Sequence, residues 1–189
     1  QLEKAIETEL KDLNFAEVQF QIHFDKLADY TAEGVDDVEF LISMNPGQPV
    51  KPLAEVASGG ELSRTMLAIK TVMADRDEIE TLIFDEIDVG ISGRTAQKVS
   101  EKMAVIGRNH QVICITHLAQ IAAQADQHYL IEKTVDGGVT RTEIRKLSEE
   151  ESIDELARIL GGAEITETVR MSAREMKSMV KSNTVKNKK

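Results

Sequence analysis

Leu2, Ile6, Leu10 and Leu13 stand at spacings of four, four and three with charges between them, the pattern of an amphipathic helix. Two stretches of strand character follow, at 15–24 and 38–44. The polar segment DYTAEGVDD separates them and NPGQP closes the second, so they are expected to pair antiparallel. Leu62, Met66, Leu67, Ile69 and Met73 then recur at helical spacing over 61–74, ahead of a short apolar run at 81–84. A further helix is expected over 95–106, before a run rich in β-branched residues at 111–116. Strand, helix, strand in that order implies a parallel crossover. Beyond it, 127–133 and 139–146 flank Asp136-Gly137-Gly138 as a hairpin, and 152–160 and 164–181 read as helices around Gly161-Gly162.

Composition narrows the class. With 189 residues, 41% apolar and 30% charged, 11 Gly and 3 Pro, the chain has the size and balance of one folded domain with its own core. No stretch approaches the roughly 20 apolar residues that cross a bilayer. QLEKAIETEL lacks the charged-then-apolar order of a signal peptide, so a cytoplasmic location and no membrane partner are expected. Opening inside a charged helix without an initiating Met, the chain is expected to have a preceding part. Cys114, the single cysteine, sits in an apolar run and reads as a buried, inert thiol.

Net charge is −10, but the last nine residues, KSNTVKNKK, hold four lysines and no acid. The other 180 residues set 19 basic against 33 acidic side chains, a balance of −14. The surface as a whole does not attract DNA, and only a local basic patch or the tail could. Residues 182–189 are expected to be a basic flexible tail.

The candidate chemistry lies at element ends. In TLIFDEID a strand of apolar residues finishes in Asp85 and Glu86, where an α/β sheet presents its ligands. Such carboxylates can hold Mg²⁺ and orient or deprotonate an attacking water. Upstream, Ser58, Gly59 and Gly60 lead directly into a helix, whose first backbone amides favour an anion. The glycines open close approach to a phosphate, although Ser58 and Glu61 also fit a capping box that needs no ligand. His117 follows the strand QVICIT at its C-terminal end and can donate to phosphate, whereas His23, His110 and His128 read as surface or satisfied core residues.

SGGE, helix, four apolar residues and DE, helix, then a strand ending in TH is the motif order of ATP-binding-cassette ATPases. SGGELSR resembles their signature motif, TLIFDE the Walker B strand, VGISG the D-loop and ITH the switch-histidine motif. SGGE and DEID are similar to the chromosome-maintenance and repair branch, the SMC-like proteins. The resemblance implies an α/β fold, the C-terminal lobe of an SMC-type P-loop ATPase head over 14–181, mainly a parallel sheet flanked by helices, with 1–13 as the end of a coiled-coil arm. It implies ATP and Mg²⁺ as cofactors. Two heads would sandwich ATP, with Ser58, Gly59, Gly60 and Glu61 facing the triphosphate of the other head. Asp85 would hold the metal shell directly or through water, Glu86 would activate the water and His117 would contact the γ-phosphate. Val89, Gly90, Ile91, Ser92 and Gly93 would form the D-loop, although Ser92 stands where many members carry aspartate.

No G-x-x-x-x-G-K-[ST] loop exists in this chain. The implied partners are therefore a phosphate-loop (Walker A) lobe N-terminal in the same protein, a second head of the same kind, and DNA, with the fragment alone inactive and the whole associated with the nucleoid. A transporter's nucleotide-binding subunit and a non-catalytic module of the same fold are the alternatives; SGGE and DEID count against the first, Glu86 and His117 against the second.

Overall fold

In a computed structural model, residues 1–45, 47–56, 58–74, 78–136, 139–162 and 164–186 are described. Three expected features fall partly outside them: Pro46 of NPGQP, the Gly137–Gly138 turn and the last three residues of the basic tail. The chain divides into two units, Gln1–Thr116 and His117–Lys189.

The first unit opens with helix α1, Leu2–Asp12. Its apolar stripe buries Ile6 and Leu10, with Leu13 just beyond. Glu3 and Glu7 accept the amides of Ile22 and Phe20 at 2.8 and 3.0 Å, which seats the helix on the edge of strand β1, Gln19–Thr31. Strand β1 pairs antiparallel with β2, Gly34–Ser43, and β2 pairs with the short β3, Lys51–Pro52. A 3₁₀ turn at Leu53–Glu55 leads on to α2, Gly59–Met73. Then come β4, Thr81–Phe84; α3, Gly93–Ile106; and β5, Gln111–Cys114.

The β1–β2 ribbon runs farther than the residue pattern indicates, because 29–37 is polar yet largely extended. Near its base, Phe20 pairs with Ile42 and Ile22 with Phe40, and Phe20 and Ile42 are buried. From Phe24↔Val38 outward both faces are solvated, Phe24 being 63% exposed, so no alternation of apolar and polar residues is imposed there. Thr31 Oγ1 closes the tip by donating to the Gly34 carbonyl at 2.9 Å.

The expected parallel crossover is present: β4 and β5 pair parallel, Ile83 opposite Ile113 and Phe84 opposite Cys114, with α3 between them in sequence. Ala96, Val99, Met103 and Ile106 bury one face of α3, and Leu67, Ala68 and Ile69 one stretch of α2. Lys102 of α3 points back to α1, where Glu9 holds its ammonium and Asp12 accepts at 3.0 Å. Burial alone lowers an ammonium pKa, but the two carboxylates outweigh it and hold Lys102 above its usual range.

The second unit contains α4, Ala119–Ala122; the antiparallel hairpin β6, Tyr129–Asp136, with β7, Val139–Lys146; and helices α5, Glu149–Gly161, and α6, Glu167–Lys186. Ala119, Ala123, Ile153, Leu156, Ala157 and Ala173 form its core. Ser148 and Glu151 make a reciprocal capping box at the start of α5, so the S-x-x-E spacing is realised in full here. The Glu151 carboxyl is pulled down to about 2 by the Ser148 amide and hydroxyl and by Arg145. Gly162, at φ +71°, ends α5 in a conformation that favours glycine.

Candidate functional site

The start of α2 and the end of β4 meet at one edge of the first unit. Ser58 is the N-cap of α2, and its hydroxyl accepts the Glu61 amide at 3.4 Å. Asp85 and Glu86 follow β4 directly and both are exposed. Glu86 has φ 57°, a left-handed backbone that costs a non-glycine residue about 1–2 kcal/mol and turns the chain sharply at the second carboxylate.

The two signature glycines have different neighbours. A Cβ at Gly59, which is exposed, would meet only the mobile end of Glu86, with Oε2 at 2.1 Å. At Gly60, which is buried, a Cβ would lie 3.1 Å from the backbone carbonyl oxygens of both Glu86 and Val89. Gly60 thus lets the 86–89 turn lie against the helix, and Gly59 leaves room for the Glu86 carboxylate. Ser63 and Arg64, one helical turn on, add hydrogen bonds to the same turn. Ser63 Oγ donates to the Asp85 carbonyl at 2.7 Å, and Arg64 Nη1 to the Val89 carbonyl at 2.9 Å.

Asp85 Oδ1 accepts the Glu86 amide at 2.9 Å, which leaves the other carboxylate oxygen for a cation. Among the described residues no group of three or more His, Cys, Asp or Glu side chains converges. One or two carboxylates completed by substrate phosphates is the usual Mg²⁺ donor set, and Asp85 beside Glu86 fits it. Asp88 of the DEID segment is buried and accepts from Thr116 Oγ1 at 2.6 Å, tying the turn to the end of β5. Beside it the Cys114 thiol is pushed up to about 12 by burial and by Asp88 and Asp85, so it stays protonated and unreactive.

Of the candidate residues, Ser58, Gly59, Gly60, Glu61, Asp85, Glu86 and Val89 come together here. Gly90 and Ile91 run on from the turn, Ser92 caps α3 and Gly93 is its first residue. His117 is exposed and belongs to the second unit, which it opens directly after Thr116. Ser63, Arg64, Asp88 and Thr116 are additions that the structure makes to the site. Ser63 and Arg64 complete SGGELSR, and Asp88 and Thr116 lie inside DEID and ITH, so their position in those motifs was the available signal.

His128, read from the sequence as a surface or core residue, is part of a buried polar chain in the second unit. Lys177 Nζ donates to Ser152 Oγ at 2.5 Å, Ser152 Oγ lies 2.6 Å from His128 Nδ1, and His128 Nε2 faces the Ala122 carbonyl. The chain is satisfied when the ring is neutral, with Nδ1 accepting and Nε2 donating. Burial first, and then Lys177, lowers the His128 pKa, outweighing the Ala122 carbonyl, Glu149 and Glu155. A histidine with a depressed folded pKa stabilises fully above its unfolded value of about 6.5 and loses that contribution as pH falls toward the folded value. Thermal unfolding of the wild type is therefore expected to shift downward between pH 7 and 5 more than that of His128→Gln. Parallel pH profiles for the two proteins would refute the assignment.

One face of the β4–β5 pair remains open. Ile83, Ile113 and Ile115 are 67%, 44% and 50% exposed, although strands of a parallel sheet are ordinarily covered on both faces.

No protein-family model matches the chain. Among solved structures, the Smc head domain with a coiled coil and joint from Pyrococcus yayanosii matches with TM-score 0.55 and 24% identity, over 82% of this chain and 28% of that one. The Smc head domain from Pyrococcus furiosus, solved with an extended coiled coil and bound to the C-terminal domain of ScpA, matches with TM-score 0.54 and 23% identity over 84% and 37%. The fold is that of the SMC head domains, an α/β arrangement. In sequence the chain is 46% identical to the DNA repair protein RecN of Halalkalibacterium halodurans, over 93% of this chain and 32% of that protein. It is 43% identical to RecN of Vibrio cholerae, again over 93% and 32%. The chain belongs to the RecN family over the region it covers, and it spans about a third of the length of these relatives.

Proposed function

We propose that this chain is the C-terminal lobe of the ATP-hydrolysing head of a RecN-type DNA double-strand-break repair protein. The observation that carries the proposal is the meeting of the SGGE helix start with the DE strand end across one tight turn. Phosphoryl transfer to water is catalysed mostly by positioning and by electrostatic stabilisation, and the chain carries groups for both. Ser58, Gly59, Gly60 and Glu61 present helix amides to the triphosphate held by a second head. Asp85 holds Mg²⁺, which when bound neutralises phosphate charge. Glu86 accepts a proton from the attacking water at its carboxylate. His117 donates to the γ-phosphate, and Val89 to Gly93 form the D-loop that links the two sites.

The phosphate loop comes from an N-terminal lobe of the same protein. The open face of Ile83, Ile113 and Ile115 supports this, since fully burying an isoleucine contributes about 1.5–3 kcal/mol. Residues 1–13 are the end of a coiled-coil arm, 14–181 the lobe itself and 182–189 a basic tail, of which 182–186 continue α6. DNA is the partner of the whole protein, which places it in the cytoplasm on the nucleoid. The RecN relatives do not favour a transporter subunit.

The test is ATP hydrolysis by the chain alone and after mixing or fusing it with the phosphate-loop lobe of a RecN protein. Turnover is expected only on reunion. Robust hydrolysis by the chain alone, or none in a well-folded reunited head, would overturn the proposal.

A further inference from the structure

We infer that Ser63 and Arg64 are positioning residues for the reaction proposed above: they lock the turn carrying Glu86 onto the helix carrying Ser58, Gly59 and Gly60. The inference rests on that reading of the site. Residues 59 and 63, and 60 and 64, are four apart, so they stack on one face of α2, and helical side chains lean toward the N-terminus. That lean carries Ser63 and Arg64 to the turn. Ser63 Oγ donates to the Asp85 carbonyl at 2.7 Å, and Arg64 Nη1 donates to the Val89 carbonyl at 2.9 Å and to the Ile87 carbonyl at 3.5 Å. These carbonyls belong to a stretch outside regular structure, where each needs a partner from elsewhere.

Arg64 is a costly way to supply the bonds. It is 8% exposed, its guanidinium carbon lies 5.4 Å from the centre of the Phe15 ring, and burial lowers its pKa. Among the described residues its Nε, though buried, has no hydrogen-bond partner. Stability alone is often served equally well or better by an apolar side chain of similar volume in place of a buried charge. What an apolar side chain cannot do is hold the carbonyls at both 87 and 89. With Gly60 pressed against the Glu86 and Val89 carbonyls, the signature segment and the Glu86 turn move as one body. A phosphate that engages Ser58 to Gly60 of this chain therefore also sets where this chain's own Glu86 stands, which couples the nucleotide held by the second head to the water in this one.

Ser63→Ala, Arg64→Met and Arg64→Lys test this in the reunited head and in the chain by itself. For Ser63→Ala and Arg64→Met, kcat is expected to fall about tenfold or more with KM changed less than about twofold, and Arg64→Lys is expected to recover part of kcat. In the chain by itself, amide exchange at residues 86–91 is expected to rise about tenfold in both variants, with the Tm of Ser63→Ala within about 2 °C of wild type. Wild-type kcat together with wild-type exchange in Ser63→Ala and Arg64→Met would overturn the inference. A wild-type reunited head that does not hydrolyse ATP would count against the proposed function instead, and the exchange measurement would still decide whether the turn is locked.

Discussion

Glu86→Gln in the reunited head is expected to lower kcat by about 10²–10⁴-fold, the usual contribution of a positioned general base, with ATP-dependent association of heads retained. The amide keeps the shape of the carboxylate, so the close contact with Gly59 and the left-handed backbone at φ 57° are preserved. What is lost is a group able to take a proton. On the proposed reading the phosphate contacts come from Ser58 to Gly60 and from the other lobe, so binding is expected to survive the change. Steady-state hydrolysis and nucleotide-dependent dimerisation, measured on the same preparation, separate the two effects. Wild-type turnover in Glu86→Gln would move the base elsewhere or make the chain a non-catalytic module.

Gly60→Val is expected to destabilise the first unit by about 1–3 kcal/mol, seen as a Tm lower by about 2–12 °C. The backbone of Gly60 is helical, so conformation alone tolerates a side chain. The obstacle is steric: a Cβ stands 3.1 Å from two backbone carbonyls, and Val89 is itself bonded to Glu86 across the turn. Gly59→Ala offers the contrast. Its new Cβ meets the end of a flexible side chain, and no backbone atom stands in its way. The Tm is expected to hold while hydrolysis falls, because the Glu86 carboxylate must move aside. Equal Tm values for Gly60→Val and wild type would mean that the turn is not packed on the helix.

The first three helices and the crossover were legible because their causes are local, whereas α6 begins three residues later and ends five residues later than the pattern indicates. Ile6 and Leu10 of α1, and Ala96, Val99, Met103 and Ile106 of α3, repeat at the period of a helix that faces a core. The outer half of the β1–β2 ribbon was not legible, since a strand solvated on both faces leaves no alternation to read. Among the candidate site residues, Asp85, Glu86 and His117 stood out because each follows an apolar run. Ser63 and Arg64 did not, for their hydrogen-bond partners lie 22 to 25 residues away along the chain.

By itself the sequence determined the order of elements, the helix cap at Ser58, the carboxylates at the end of β4 and the lack of a phosphate loop, all of which depend on neighbouring residues or on a short motif. Only the tertiary structure decided that Gly60 is pressed by the turn while Gly59 faces Glu86, that Arg64 spends a buried charge on backbone carbonyls, and that burial and Lys177 lower the His128 pKa. Those outcomes depend on which groups distant in sequence share a low-dielectric space, and a one-dimensional pattern does not carry that information.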